Sequence, residues 1–134
     1  MKDWTQVFRY GHYLIFPTQI GAAPKKLFLM DTGSSRGMIT AAAAREVTVV
    51  TADYDRRVTG LNGQVQNLMV AGDVTITFAG VRQTAKGLTA FDSALLSLGA
   101  DVEISGLIGF PTLRELVISI DYRDNLVKVV YDPK

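Results

Sequence analysis

The chain of 134 residues contains no cysteine. That excludes disulfide staples, thiolate metal sites and cysteine nucleophiles. It has a single histidine, His12, so a metal site could draw only on carboxylates. Charge of neither sign is in excess: 14 basic and 13 acidic residues leave a net charge of +1. Such a balance offers no footprint for nucleic acid or an anionic membrane surface. Lys25-Lys26 and Arg56-Arg57 are the only adjacent basic pairs and read as solvated loop charges. No apolar run approaches the roughly 20 residues of a membrane span. Met1-Lys2-Asp3-Trp4 carries no apolar signal region. Internal repeats, low-complexity tracts and linkers are also missing. The length predicts one domain over residues 1–134, large enough to bury a core. The opening residues read as an internal stretch. They predict a soluble domain excised from a longer precursor, with cytoplasm and export, including the periplasm, both left open.

What is present is extended structure. Val7–Tyr10 and Tyr13–Ile20 are rich in β-branched and aromatic residues. Gly21-Ala22-Ala23-Pro24 signals a turn, so Tyr13–Ile20 and Lys26–Met30 read as a hairpin. After Gly37-Met38-Ile39, Thr40 is placed to cap a short helix at Ala41–Glu46. Val47–Val50 opens a long β region. Asn62-Gly63, between extended arms, is the strongest hairpin signal in the chain. Val74–Phe78 alternates strictly, as a half-buried strand does, and Val81–Phe91 reads as the returning strand. Asp92 or Ser93 can cap a helix at Ala94–Leu98 that Gly99 ends. Pro111 suits the first turn of a helix running to Leu116. Val117–Ile120 and Leu126–Tyr131 flank a turn. Many short strands with turns between them predict an all-β, barrel-like domain with one or two short helices.

One stretch carries chemistry. Leu27-Phe28-Leu29-Met30 is an apolar run that ends in Asp31-Thr32-Gly33-Ser34-Ser35. A carboxylate at the end of a buried strand needs hydrogen bonds or a shared proton to compensate for scarce water. Thr32, Ser34 and Ser35 supply hydroxyls, and Gly33 allows a tight turn that brings N–H groups near the carboxylate.

This stretch resembles the active-site loop of the aspartic protease superfamily. A second segment is similar as well: Gly106-Leu107-Ile108-Gly109, followed by Phe110-Pro111-Thr112-Leu113, resembles the apolar-apolar-Gly element that lies beneath the catalytic loop. The order of elements fits the single-lobe, retropepsin-like branch found in bacteria and retroviruses, over nearly the whole chain. The resemblance implies a closed acid-protease barrel lobe and peptide-bond hydrolysis without a cofactor or metal. Asp31 would be the catalytic residue, with Thr32, Gly33 and Ser34 supporting its loop. Leu107, Ile108 and Gly109 would form the supporting second motif. The hairpin at Gly60, Leu61, Asn62 and Gly63 would be the flap over an extended peptide substrate. Ser34 would donate to the Asp31 carboxylate and favour an acidic optimum relative to an Ala-type enzyme. One departure stands out: viral members place Arg directly after the second-motif Gly, whereas this chain has Phe110.

The reaction needs two carboxylates sharing one proton, and the chain holds one Asp-Thr-Gly. The second Asp31 is therefore expected from another copy in a two-fold homodimer, or its counterpart from a second lobe of a parent protein. The alternative is a catalytically silent dimerisation or peptide-binding module of the same fold, since fold does not fix function. A protease serving only to mature its own precursor is a further option. Gly33-Ser34-Ser35-Arg36-Gly37 also fits the serine-hydrolase Gly-x-Ser-x-Gly pattern, but that chemistry needs a later His, and His12 precedes the serine. Asp121, Arg123 and Asn125 only faintly resemble a calcium loop, because Leu126 stands where that loop needs Gly.

Overall fold

Period-two patterning drives most of this chain into short strands. The computed structural model describes residues 3–34, 36–59, 65–91 and 103–132. In chain order the elements are β1 (Thr5–Gln6), β2 (Phe8–Tyr10), β3 (Tyr13–Ile20), β4 (Lys26–Met30), β5 (Met38–Thr40), α1 (Ala41–Arg45), β6 (Val50–Thr59), β7 (Val65–Ala71), β8 (Val74–Phe78), β9 (Val81–Ala85), β10 (Thr89–Phe91), β11 (Gly106–Ile108), α2 (Phe110–Leu113), β12 (Leu116–Asp121) and β13 (Leu126–Tyr131). Ten strands make one curled half-barrel sheet, in the order β6-β7-β10-β5-β11-β4-β3-β8-β9, with β2 beside β3. A smaller sheet runs β1-β13-β12 and ties the first strand to the last hairpin. The lobe is all-β with two short helices among the described residues.

Alternation sorts the side chains of β3 and β4 onto two faces. Leu14, Phe16, Ile20 and Phe28 enter the main core with Ile39, Val74, Ile76 and Phe78. The rings of Phe16 and Phe78 meet at 5.6 Å, tilted by 50°. Burying side chains of this size stabilises the fold by about 1.5–3 kcal/mol each. On the opposite face, Ile15 and Leu29 form a second cluster with Ile104 and Leu107. The two sides of the same strands thus do different work, and the second face is the one that leads to Asp31.

Several boundaries differ from the sequence expectation, each for a local reason. The long strand over Val81–Phe91 is two strands. Gly87 lies in the left-handed region at φ +64° and breaks the extension, so β9 pairs with β8 while β10 joins β5 and β7. Val47 does not begin a strand. The amides of Val47 and Thr48 both donate to the Ala44 carbonyl, at 3.0 and 2.8 Å, and finish α1. The Thr40 cap forms, with the Ala43 amide donating to Oγ1 at 3.2 Å. α2 stops at Leu113, and Leu116 already belongs to β12. Val7–Tyr10 is interrupted at Val7, whose amide turns to the Asn125 carbonyl. Lys26 is a strand residue, not a loop charge. Its Nζ lies 2.6 Å from Glu46 Oε2, and Arg56 and Arg57 lie within β6. The helix expected at Ala94–Leu98 lies outside the described residues.

Candidate active site

β4 and β5 follow each other in sequence but are not neighbours in the sheet. β11 lies between them, parallel to β4 and antiparallel to β5. Residues 31–37 therefore carry the chain past the end of β11. Backbone hydrogen bonds fix that passage. The Asp31 amide donates to the Ile108 carbonyl at 3.0 Å, which extends the β4–β11 ladder by one residue. The Phe110 amide donates to the Ser34 carbonyl at 2.8 Å, and the Thr89 amide to the Gly37 carbonyl at 3.3 Å. Gly109 has no room for a side chain: a Cβ there would stand 2.6 Å from the Arg36 carbonyl oxygen and 3.0 Å from that of Ser34. The structure thus brings Asp31, Thr32, Gly33 and Ser34 together with Leu107, Ile108 and Gly109.

Within the loop, the Gly33 amide donates to Asp31 Oδ1 at 3.0 Å, and the Ser34 amide to the Asp31 carbonyl at 3.2 Å. An added Cβ at Gly33 would sit 3.3 Å from the same Oδ1, so a side chain there would press on the carboxylate and shift it by a few tenths of an ångström. Asp31 is half-buried, and Thr32 and Gly33 are exposed. The carboxylate therefore has a fixed internal donor while its surroundings stay open on the loop side.

The expected donation from Ser34 to the carboxylate is not made. Ser34 Oγ donates to the Arg36 carbonyl at 2.6 Å. The turn that carries this carbonyl over Gly109 also presents it to the hydroxyl, whose one proton is then used. The Arg36 carbonyl was not evident from the sequence, because a backbone acceptor leaves no mark in residue type. Its trace is indirect: the glycine at 109 that makes space for it.

Other expectations fall elsewhere. Gly60, Leu61, Asn62 and Gly63 lie outside the described residues, as does Ser35. The arms that lead to them, β6 and β7, pair antiparallel up to Thr59 and Val65, with a register shift between Asp53 and Arg57. His12 is exposed in the turn between β2 and β3. Asp121 Oδ1 accepts from the amides of Arg123 and Asp124, at 2.9 and 3.2 Å, so that segment is a side-chain-capped turn. A cleft of about 930 Å³ lies apart from Asp31, between β9 and β13. On its wall Tyr131 Oη donates to Glu115 Oε2 at 3.3 Å, and the Glu115 charge raises the Tyr131 pKa.

No curated protein matches the chain. Among solved structures it is similar to a retropepsin-like aspartic protease from Rickettsia conorii, at 17% identity and a TM-score of 0.49, over 96% of this chain and 92% of that one. No helix among the described residues is long and apolar enough to cross a membrane. The family model described as aspartyl protease matches residues 17–112, which include the whole Asp31 loop, its β11 support and the strands between, and the chain belongs to that family.

Proposed function

We propose that the chain is an aspartic endopeptidase whose working site pairs Asp31 with Asp31 of a second copy. The observation that carries this reading is the Asp31 loop, held on the end of β11 by backbone bonds, with Gly33 donating to the carboxylate. A carboxylate fixed from within and open outward suits half of a two-fold site. Two such groups side by side cannot both ionise, so the pair holds one proton. The ionised member takes a proton from water as its oxygen attacks the peptide carbonyl carbon. The protonated member gives its proton to the carbonyl oxygen. The tetrahedral intermediate then collapses: a proton passes to the amide nitrogen, the C–N bond breaks, and the pair returns to one shared proton. In this reading the Gly60–Gly63 segment, whose Asn-Gly pair is a hairpin signal in the sequence, is proposed as the flap over a peptide bound in extended form by backbone hydrogen bonds.

The test is cleavage of a diverse peptide library from acidic to neutral pH, with Asp31→Asn beside the wild type. Cleavage that Asp31→Asn abolishes is expected. Absence of any wild-type cleavage across pH and protein concentration would instead favour a peptide-binding or dimerisation module of the same fold.

A further inference from the structure

We propose that the cleft between β9 and β13 is a docking slot for an extended segment of another polypeptide, which adds to the open edge of β9 as a further strand. The slot lies apart from Asp31, and the inference does not depend on the protease reading above.

Two strand edges face this cleft. Its lining includes Arg82, Gln83 and Thr84 of β9 but no residue of β8, and Lys128–Tyr131 of β13 but no residue of β12. Each strand therefore turns toward the cleft the edge that its hairpin partner does not use. β9 ends the large sheet, with β8 as its single neighbour. On the other rim, β1 covers β13 only at Leu126 and Val127.

Alternation fixes which groups those edges present, because successive residues of a strand bond to opposite sides. The Gly21 amide donates to the Thr75 carbonyl at 2.9 Å, in step with the β3–β8 pairing, so Thr75 and Thr77 bond toward β3. Val74, Ile76 and Phe78 then bond toward β9, where they meet Ala85, Gln83 and Val81. The N–H and C=O groups left for the open edge are those of Arg82 and Thr84. β13 follows the same rule. The Asp132 amide donates to the Glu115 carbonyl at 2.8 Å, and the Val7 amide to the Asn125 carbonyl at 2.9 Å. Even-numbered residues of β13 thus bond toward β12, and odd-numbered ones toward β1. Beyond Thr5, which pairs with Val127, the groups of Val129 and Tyr131 meet no strand among the described residues.

Both rims therefore offer N–H and C=O groups two residues apart, which is the repeat of an extended chain. A row of this kind is a template for another strand. A helix does not answer it, since its own backbone groups are already paired. The β9 edge carries no proline or bulge, and its one blunting device is the charge of Arg82. Charges in the lining balance, Arg82 and Lys128 against Asp3 and Glu115, so nothing there calls for a polyanion. Across from β9 stands the Tyr131 ring, 55% exposed, with its hydroxyl turned to Glu115. It is placed to cover a side chain of the docked segment.

The probe is a display library of random short peptides, selected on the Asp31→Asn protein so that no bound peptide is cut. Amide hydrogen exchange followed by NMR locates the binding. In the free protein the Arg82 and Thr84 amides should exchange fast, while Gln83, bonded to β8, is protected. Selected peptides should protect Arg82 and Thr84. Thr84→Pro removes the outward N–H and leaves the β8 ladder intact. It should weaken binding about tenfold, the scale of one lost hydrogen bond, while Thr84→Ala, which keeps the N–H, binds as before. If Thr84→Pro fails to fold, the exchange map of the unaltered edge decides alone. Affinity unchanged in a folded Thr84→Pro overturns the proposal. So does a library that yields no binder, or binders that protect only amides elsewhere, those of the Asp31 loop included. Protection of Arg82 and Thr84 already present in the free protein overturns it too, since the edge is then covered by the chain itself or, where protection grows with protein concentration, by a second copy.

Discussion

Single atoms decide how the Asp31 loop is held. Gly109 is the sharpest case, because its missing Cβ is the space that the Arg36 carbonyl occupies. Backbone cannot retreat as a flexible side chain can. Gly109→Ala is expected to lower the stability of the fold by about 1–3 kcal/mol, read as a fall in the urea midpoint, and to remove proteolysis with it. Ser34 makes a contrasting prediction. Its hydroxyl closes the turn on Arg36 and does not reach the carboxylate. Ser34→Ala should therefore cost about 0.5–1.5 kcal/mol and leave the pH profile of cleavage where it was. A profile that moved to higher pH would mean that the hydroxyl serves Asp31 after all.

At the scale of elements, strands were legible wherever periodicity and turn chemistry agreed. Tyr13–Ile20, Lys26–Met30 and Val74–Phe78 could be bounded from residue types, because apolar alternation ends there at Gly, Pro or a polar pair. The break at Gly87 was not legible. A lone glycine in a β-rich run reads equally as a strand residue, and only pairing with two different partners forces the chain to bend. The β8–β9 turn gives a direct test of turn chemistry. Ala79 and Gly80 both have positive φ, +48° and +78°, the pattern of a two-residue turn that favours Asn-Gly. Alanine pays steric strain in that conformation that asparagine tolerates better. Ala79→Asn is expected to stabilise the protein by about 0.5–1 kcal/mol, seen as a higher urea midpoint with an unchanged slope. A lower midpoint would show that the Ala79 methyl, which packs against the main core, matters more than the backbone.

For the whole molecule, the fold class followed from the density of short strands, and the core of the site from two motifs far apart in sequence. Asp31 and Gly109 could be linked because both stretches resemble aspartic protease motifs; residue type alone marks the carboxylate after an apolar run but not its partner segment. What stayed hidden were backbone partners and cross-strand neighbours. The Arg36 carbonyl over Gly109 and the insertion of β11 between β4 and β5 depend on long-range pairing, which no single segment reveals. The Asp31 loop is tied to β11 and α2 by the amides of Asp31 and Phe110. It thus has backbone support within one chain; under the proposed mechanism the second carboxylate comes from another copy. The central claim is that two copies of Asp31 act as one unit. It is tested most directly by mixing wild type with increasing proportions of Asp31→Asn at fixed total concentration, after full exchange of subunits, and measuring the cleavage rate. If only wild-type pairs cleave, the rate falls as the square of the wild-type fraction. A rate that falls in simple proportion to that fraction would mean that each copy works alone, and would contradict the shared site.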